Sequence, residues 1–214
     1  MIYELMGAKS KYNNLPAAVS AIAAAFPLWH FIFNTDLIGG FWNRMVVSVS
    51  LLGLCAFLAE GREMSRQLRN ITLRVIALGV LSALPLYTIF YGGYILFKPL
   101  LQEGASNVYL LASNVPAIQV AATLVYTSFL EEFFWRGFIQ RNLTNYLGRL
   151  RGLLSATASY TLIHIFTLNL PLMLAALIAG LWWGYLYMLT GSLWLTAASH
   201  IVWTEMVILA LPLG

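Results

Sequence analysis

Two adjacent glutamates, Glu131 and Glu132, stand in the stretch FLEEFFWRGF, with Arg136 four residues after the second. Further on, the apolar runs of the second half hold two histidines, His164 and His200, and another acid, Glu205. Burying a charged side chain in a membrane costs about 2.5–3.5 kcal/mol on insertion scales, so such residues normally face a bundle interior and mark a site. Spacing separates the two glutamates. Glu132 and Arg136 are at i, i+4 and can pair on one helix face. Glu131 lies about 100° round the helix and needs another partner. A glutamate beside a second carboxylate in a low-dielectric pocket is a workable general base near neutral pH. One imidazole can hold a water against it, and the other can donate to a developing oxyanion. Those are the parts for hydrolysing an amide inside a membrane. Glu131, His164 and His200 also make a His2Glu set able to hold zinc with one open position, although the HExxH signature is absent. Spacing alone leaves both chemistries open.

The elements that must carry these groups are membrane helices. The chain has 214 residues, of which 60% are hydrophobic and 9% charged, against about 25% charged in soluble domains. That composition predicts an all-α, polytopic transmembrane bundle forming one integral domain over residues 1–214. The net charge of +4 does not point to nucleic acid, because the basic residues gather in short loops between apolar runs; the partner they imply is the lipid bilayer. Seven runs are long enough to span: Leu15 to Phe33, Phe41 to Ala59, Val75 to Phe97, Pro116 to about Phe134, Leu153 to Leu170, Leu172 to Leu189 and Leu193 to Leu211. The first lacks a small-residue cleavage site and reads as an uncleaved helix. Lys9 and Lys11, then Arg62, Arg66, Arg69 and Arg74, then Arg136, Arg141, Arg149 and Arg151 fall on one side of a seven-helix path. The positive-inside rule makes that side cytoplasmic, with the N-terminus there and the C-terminus opposite. At about 1.5 Å per residue, Glu131 comes roughly 8–15 Å in from that side, His164 roughly 16–18 Å and His200 about 12 Å. A polar cavity near the cytoplasmic side follows. Cys55, alone in an apolar run, reads as lipid-facing or packing, and His30 as structural. Gly180 and Gly184 form a GxxxG that predicts close helix contact.

These motifs resemble the CPBP family, the CAAX proteases and bacteriocin-processing enzymes also called Abi proteins. EEFFWR fits its EExxxR motif. YTLIH, Tyr160 to His164, resembles its second motif, an aromatic with His four residues on. GLWWGYLYMLTGSLWLTAASH resembles the third region, a GxxxG helix, a turn and a helix carrying His. The resemblance covers roughly residues 121–205. It implies a glutamate-dependent intramembrane endopeptidase acting on a membrane-associated peptide or protein. Glu131 would activate the water with help from His164, Glu132 would be tied to Arg136, and His200 would stabilise the oxyanion. The family usually has Asn or Asp four residues after that histidine; Thr204 stands there instead, a shorter donor. A metal-free mechanism is favoured, with zinc as the alternative. A short chain of this kind suggests a bacterial cytoplasmic membrane. The rival readings are a non-catalytic scaffold or immunity protein, which Thr204 would suit, and a proton-coupled transporter, which would usually show internal repeats that this sequence lacks.

Overall fold

The computed structural model describes residues 14–213, and Lys9 and Lys11 lie outside them. Among the described residues every regular element is helical. Nine α-helices follow in order: α1 (Leu15–Asn34), α2 (Phe41–Arg69), α3 (Leu73–Leu96), α4 (Lys98–Ser113), α5 (Ala117–Glu132), α6 (Arg141–Leu147), α7 (Arg149–Ile163), α8 (Leu170–Thr190) and α9 (Leu193–Glu205). A π-helical segment, Phe133–Gln140, joins α5 to α6. A second, Met206–Ala210, continues α9.

Local chemistry sets the ends. Thr72 caps α3 by accepting from the Val75 N–H. Asn169 caps α8 by accepting from Leu172 N–H, with Pro171 in the first turn. Gly191 ends α8 at φ 63°, the left-handed region that favours glycine. Ser192 then caps α9 at once by accepting from Leu195 N–H. Each cap satisfies a backbone donor that would otherwise be left without a partner at the helix start.

Helices α1, α2, α3, α8 and the rod Leu193–Ala210 are long and apolar enough to cross a membrane. Helix α4 and the rod Ala117–Leu147, bent by 111° to each other, make a sixth if counted together. The expected polytopic bundle is therefore present, and its count of about seven comes to five or six by length and composition. Helix α7 accounts for one difference. It has 15 residues and ends at Ile163, not near Leu170. There the His164 ring bonds back to the Tyr160 carbonyl and the Thr167 hydroxyl donates to the His164 carbonyl. These local bonds replace the next helical turn. Leu168, at φ 50°, turns the chain towards α8.

Two further boundaries move for the same kind of reason. The fourth run was expected to end at about Phe134, just before Arg136; Arg136 lies inside a continuous rod that runs on to Leu147. The polar residues beyond it stay helical because each finds a carbonyl: Gln140 on Gly184, Arg141 on Gly137 and Asn142 on Phe138. Helix α2 runs ten residues past Ala59, through a non-helical Glu60 (φ −146°, ψ 43°), and Glu60 forms a half-buried ion pair with Arg141. The α2 terminus, α6 and the α8 terminus meet around one polar cavity, which gathers Arg66, Arg141 and Arg149 at one end of the bundle.

The main core lies between α1, α2 and the π segment. Trp29, Ile32, Leu52, Met64, Phe134, Trp135 and Phe138 are all fully buried there or nearly so. This aromatic packing holds the EEFFWR stretch away from lipid. Cys55 is exposed on the apolar flank of α2.

Candidate active site

Both glutamates close α5 and are buried, immediately before the π segment. π-helical turns recur at functional sites because their wider turn re-aims side chains and loosens carbonyls. Here the Gly137 carbonyl accepts from Gln67 Nε2 at 3.1 Å and from Arg141 Nε at 2.9 Å. Gln67 in turn accepts from the Tyr187 hydroxyl at 2.8 Å. Helices α2, α6 and α8 thus fix the backbone that presents Arg136.

Glu132 is fully buried and accepts from two side chains on one oxygen. Arg136 Nη1 and His200 Nδ1 each lie 3.0 Å from Oε1. Arg136 Nη2 also donates to the Gly180 carbonyl at 3.2 Å. Its guanidinium lies over the rings of Tyr160 (5.1 Å) and Trp183 (5.5 Å). His200 stacks on Trp183 with centroids 3.7 Å apart. Because a carboxylate only accepts, His200 Nδ1 carries the hydrogen in this contact. Its Nε2 is then left for another partner. Removing one partner of a buried ion pair typically costs about 3–5 kcal/mol.

Glu131 has a different neighbour. The Tyr160 hydroxyl donates to its Oε2 at 3.1 Å. Tyr160 is also the link to His164, which sits one turn on. The His164 Nδ1 donates to the Tyr160 carbonyl at 2.7 Å, and the two rings meet edge-on at 5.0 Å. Trp29 of α1 packs against the other side of the His164 ring. With Nδ1–H committed to a carbonyl, the neutral ring offers Nε2 as an acceptor.

The two imidazoles therefore attach to different glutamates. His200 is bound to Glu132, and His164 is joined to Glu131 through Tyr160. Among the described residues no three His, Cys, Asp or Glu side chains form a group able to hold a metal ion. Glu131, His164 and His200 are thus not gathered as a His2Glu metal set among the described residues.

Thr204 is close to the site but is engaged locally. Its hydroxyl lies 3.0 Å from the carbonyls of His200 and Ile201, and 3.1 Å from the Ser128 hydroxyl. A threonine has one hydrogen to give. Donated to its own helix, it leaves Thr204 accepting from Ser128. Glu205 is half-buried, and its Oε1 has no hydrogen-bond partner among the described residues. His30 is exposed and meets Phe166 edge-on at 5.3 Å.

The GxxxG does more than bring helices together. A Cβ on Gly180 would lie 3.1–3.2 Å from Thr157 and Tyr160, and one on Gly184 would lie 3.1 Å from Gln140. The glycines let the rod and α7 reach the α8 backbone, whose carbonyls then take Arg136 and Gln140. Sequence reading had not given Tyr160 a role beyond its motif position, nor picked out Trp183. Their signal was spacing: Tyr160 stands four residues before His164, and Trp183 stands three residues after Gly180.

Residues 113–206 match the family model described as type II CAAX prenyl endopeptidase, Rce1-like. That segment, somewhat under half of the chain, is similar to the CAAX protease family. The match takes in every polar group described above on α5, α7, α8 and α9, and leaves α1 to α3 outside. No curated protein and no solved structure matched the chain. The likeness and the five or six helices long and apolar enough to cross a membrane agree with a helical membrane protein resembling the CAAX proteases.

Proposed function

We propose that this protein is an intramembrane endopeptidase that hydrolyses a peptide bond of a membrane-associated protein or peptide with a glutamate-activated water. One observation carries this reading: two adjacent buried carboxylates have unlike surroundings. Glu132 is braced by Arg136 and His200, whereas the hydrogen bond found on Glu131 among the described residues comes from a single phenol. A charge-compensated acid holds geometry and field, and a lightly bonded neighbour keeps lone pairs for a proton.

In this mechanism a water sits between Glu131 and Nε2 of His164. Glu131 takes its proton as the oxygen attacks the scissile carbonyl carbon. A C–O bond forms and the carbonyl π bond opens to an oxyanion. His200, held through Nδ1 by Glu132, would in its doubly protonated form offer Nε2–H to that oxyanion. As the tetrahedral intermediate collapses, the C–N bond breaks and the proton held by Glu131 passes to the leaving amine. Arg136 and Tyr160 are positioning residues: one fixes Glu132, the other orients Glu131. Thr204 stands where the resembling family has Asn or Asp. Its bonds to its own helix argue for a supporting part beside Ser128 instead.

The arginine-rich end would face the cytoplasm of a bacterial inner membrane, by the positive-inside rule. The test is a cleavage assay on membrane peptides comparing wild type, Glu131→Gln and wild type with a strong chelator. Loss in the variant alone supports the glutamate mechanism. Loss with the chelator as well would assign the chemistry to a metal.

A further inference from the structure

The polar cavity at the arginine-rich end is not part of the catalytic constellation. Its volume is about 570 Å³, and its lining includes Arg66, Arg141 and Arg149 with Gln67, Gln140 and Tyr187. None of Glu131, Glu132, Tyr160, His164 or His200 reaches it. Gln140, buried and bonded to the Gly184 carbonyl, stands between this cavity and Arg136 one turn away. An occupant here does not touch the reacting groups.

We propose that this cavity binds the phosphate-bearing headgroup of an anionic phospholipid. Its size is far beyond a single water, whose share of liquid volume is about 30 Å³. Three arginines against the one lining acid, Glu63, leave an excess of positive charge. Arg66 pairs with Glu63, and Arg141 with Glu60 behind the wall. Arg149 donates only to the Met188 carbonyl at 2.6 Å and has no carboxylate partner among the described residues. Planar guanidinium groups suit phosphate oxygens, and basic pockets between transmembrane helices are a recognised headgroup setting. The neighbouring surface is apolar: Leu150 beside Arg149 and Leu189 beside Met188 are both exposed. Those residues supply a surface for acyl chains next to a charged cavity. A peptide carboxylate needs fewer cations, and a peptide running to Glu131 would have to cross the Gln140–Gly184 layer.

The test titrates purified full-length protein in detergent with phosphatidylglycerol or phosphatidylcholine and counts bound lipid by native mass spectrometry. Phosphatidylglycerol is expected to remain bound at one per protein, about tenfold more tightly than phosphatidylcholine. Arg66→Gln with Arg149→Gln should weaken it about tenfold. Arg74→Gln with Arg151→Gln removes the same charge outside the cavity and should change it less than about twofold. Both pairs are exposed, so both variants should fold. Equal losses in the two double variants would reduce the effect to general surface charge and overturn the site. So would equal retention of the two lipids. Displacement by millimolar inorganic phosphate would reassign the cavity to free phosphate. Displacement by a peptide with a free C-terminal carboxylate, but not by its amide, would reassign it to the peptide.

Discussion

Tyr160 on α7 donates its hydroxyl to Glu131 on α5 at 3.1 Å, while its own backbone carbonyl takes the Nδ1–H of His164 at 2.7 Å. One residue thereby orients both the acid and the imidazole proposed to share a water. Tyr160→Phe removes the hydroxyl but keeps the ring against Arg136 and the carbonyl for His164. The expected loss is about tenfold in kcat/KM, with stability lowered by about 1 kcal/mol. Steady-state cleavage kinetics and a thermal melt read the two effects separately. An unchanged kcat/KM would remove Tyr160 from the site.

Glu131→Gln is nearly isosteric and keeps an acceptor for Tyr160. Cleavage should fall by about 10²–10⁴-fold, the usual contribution of a positioned general base. Its melting temperature should stay within a few degrees of wild type. Substantial residual cleavage would place the base elsewhere.

Arg136→Gln leaves Glu132 buried with only His200 beside it. Because an unpaired buried charge is costly, the variant should lose about 3–5 kcal/mol of stability. Unfolding at lower denaturant concentration in detergent measures this. Arg136→Gln with Glu132→Gln should recover part of the loss, because the uncompensated charge is gone. A double variant no better than the single would assign the cost to packing on Tyr160 and Trp183.

Thr204→Val deletes a hydroxyl that spends its hydrogen on its own helix. Activity should stay within about threefold, and stability should fall by about 1 kcal/mol as Ser128 loses its acceptor. A loss of a hundredfold in kcat with KM unchanged would restore Thr204 as an oxyanion donor.

Gly152→Ala tests how tightly α7 rests on α6. Its added Cβ would lie 2.5 Å from the backbone of Thr144, which cannot move as a side-chain tip can. The expected cost is about 1–3 kcal/mol. A wild-type melting curve would show that the α6–α7 junction gives more readily than its packing suggests.

Much of this was legible in the chain because the relevant signals are local. Twenty-residue apolar runs announce helices, and an acid and an arginine at i, i+4 announce their own pairing. The Glu132–Arg136 contact and the starts of α1, α2 and α9 therefore come from sequence directly. The extension of α2 past Glu60 was not legible. Its charged residues resemble a loop until Arg141, far along the chain, compensates Glu60. Helix α4 was missed because its polar sequence is not a span, and only packing shows where it lies.

Sequence by itself determined which residues are costly in a membrane and which helices carry them, since transfer free energy and helical spacing are properties of short stretches. Tertiary structure decided their partners. It gave His200 to Glu132 and not to Glu131, joined His164 to Glu131 through Tyr160, and turned the Thr204 hydroxyl back on its own helix. These pairings depend on how α7, α8 and α9 approach α5. That approach is set by Gly180 and Gly184 admitting close backbones, and by buried donors each needing an acceptor from a distant helix.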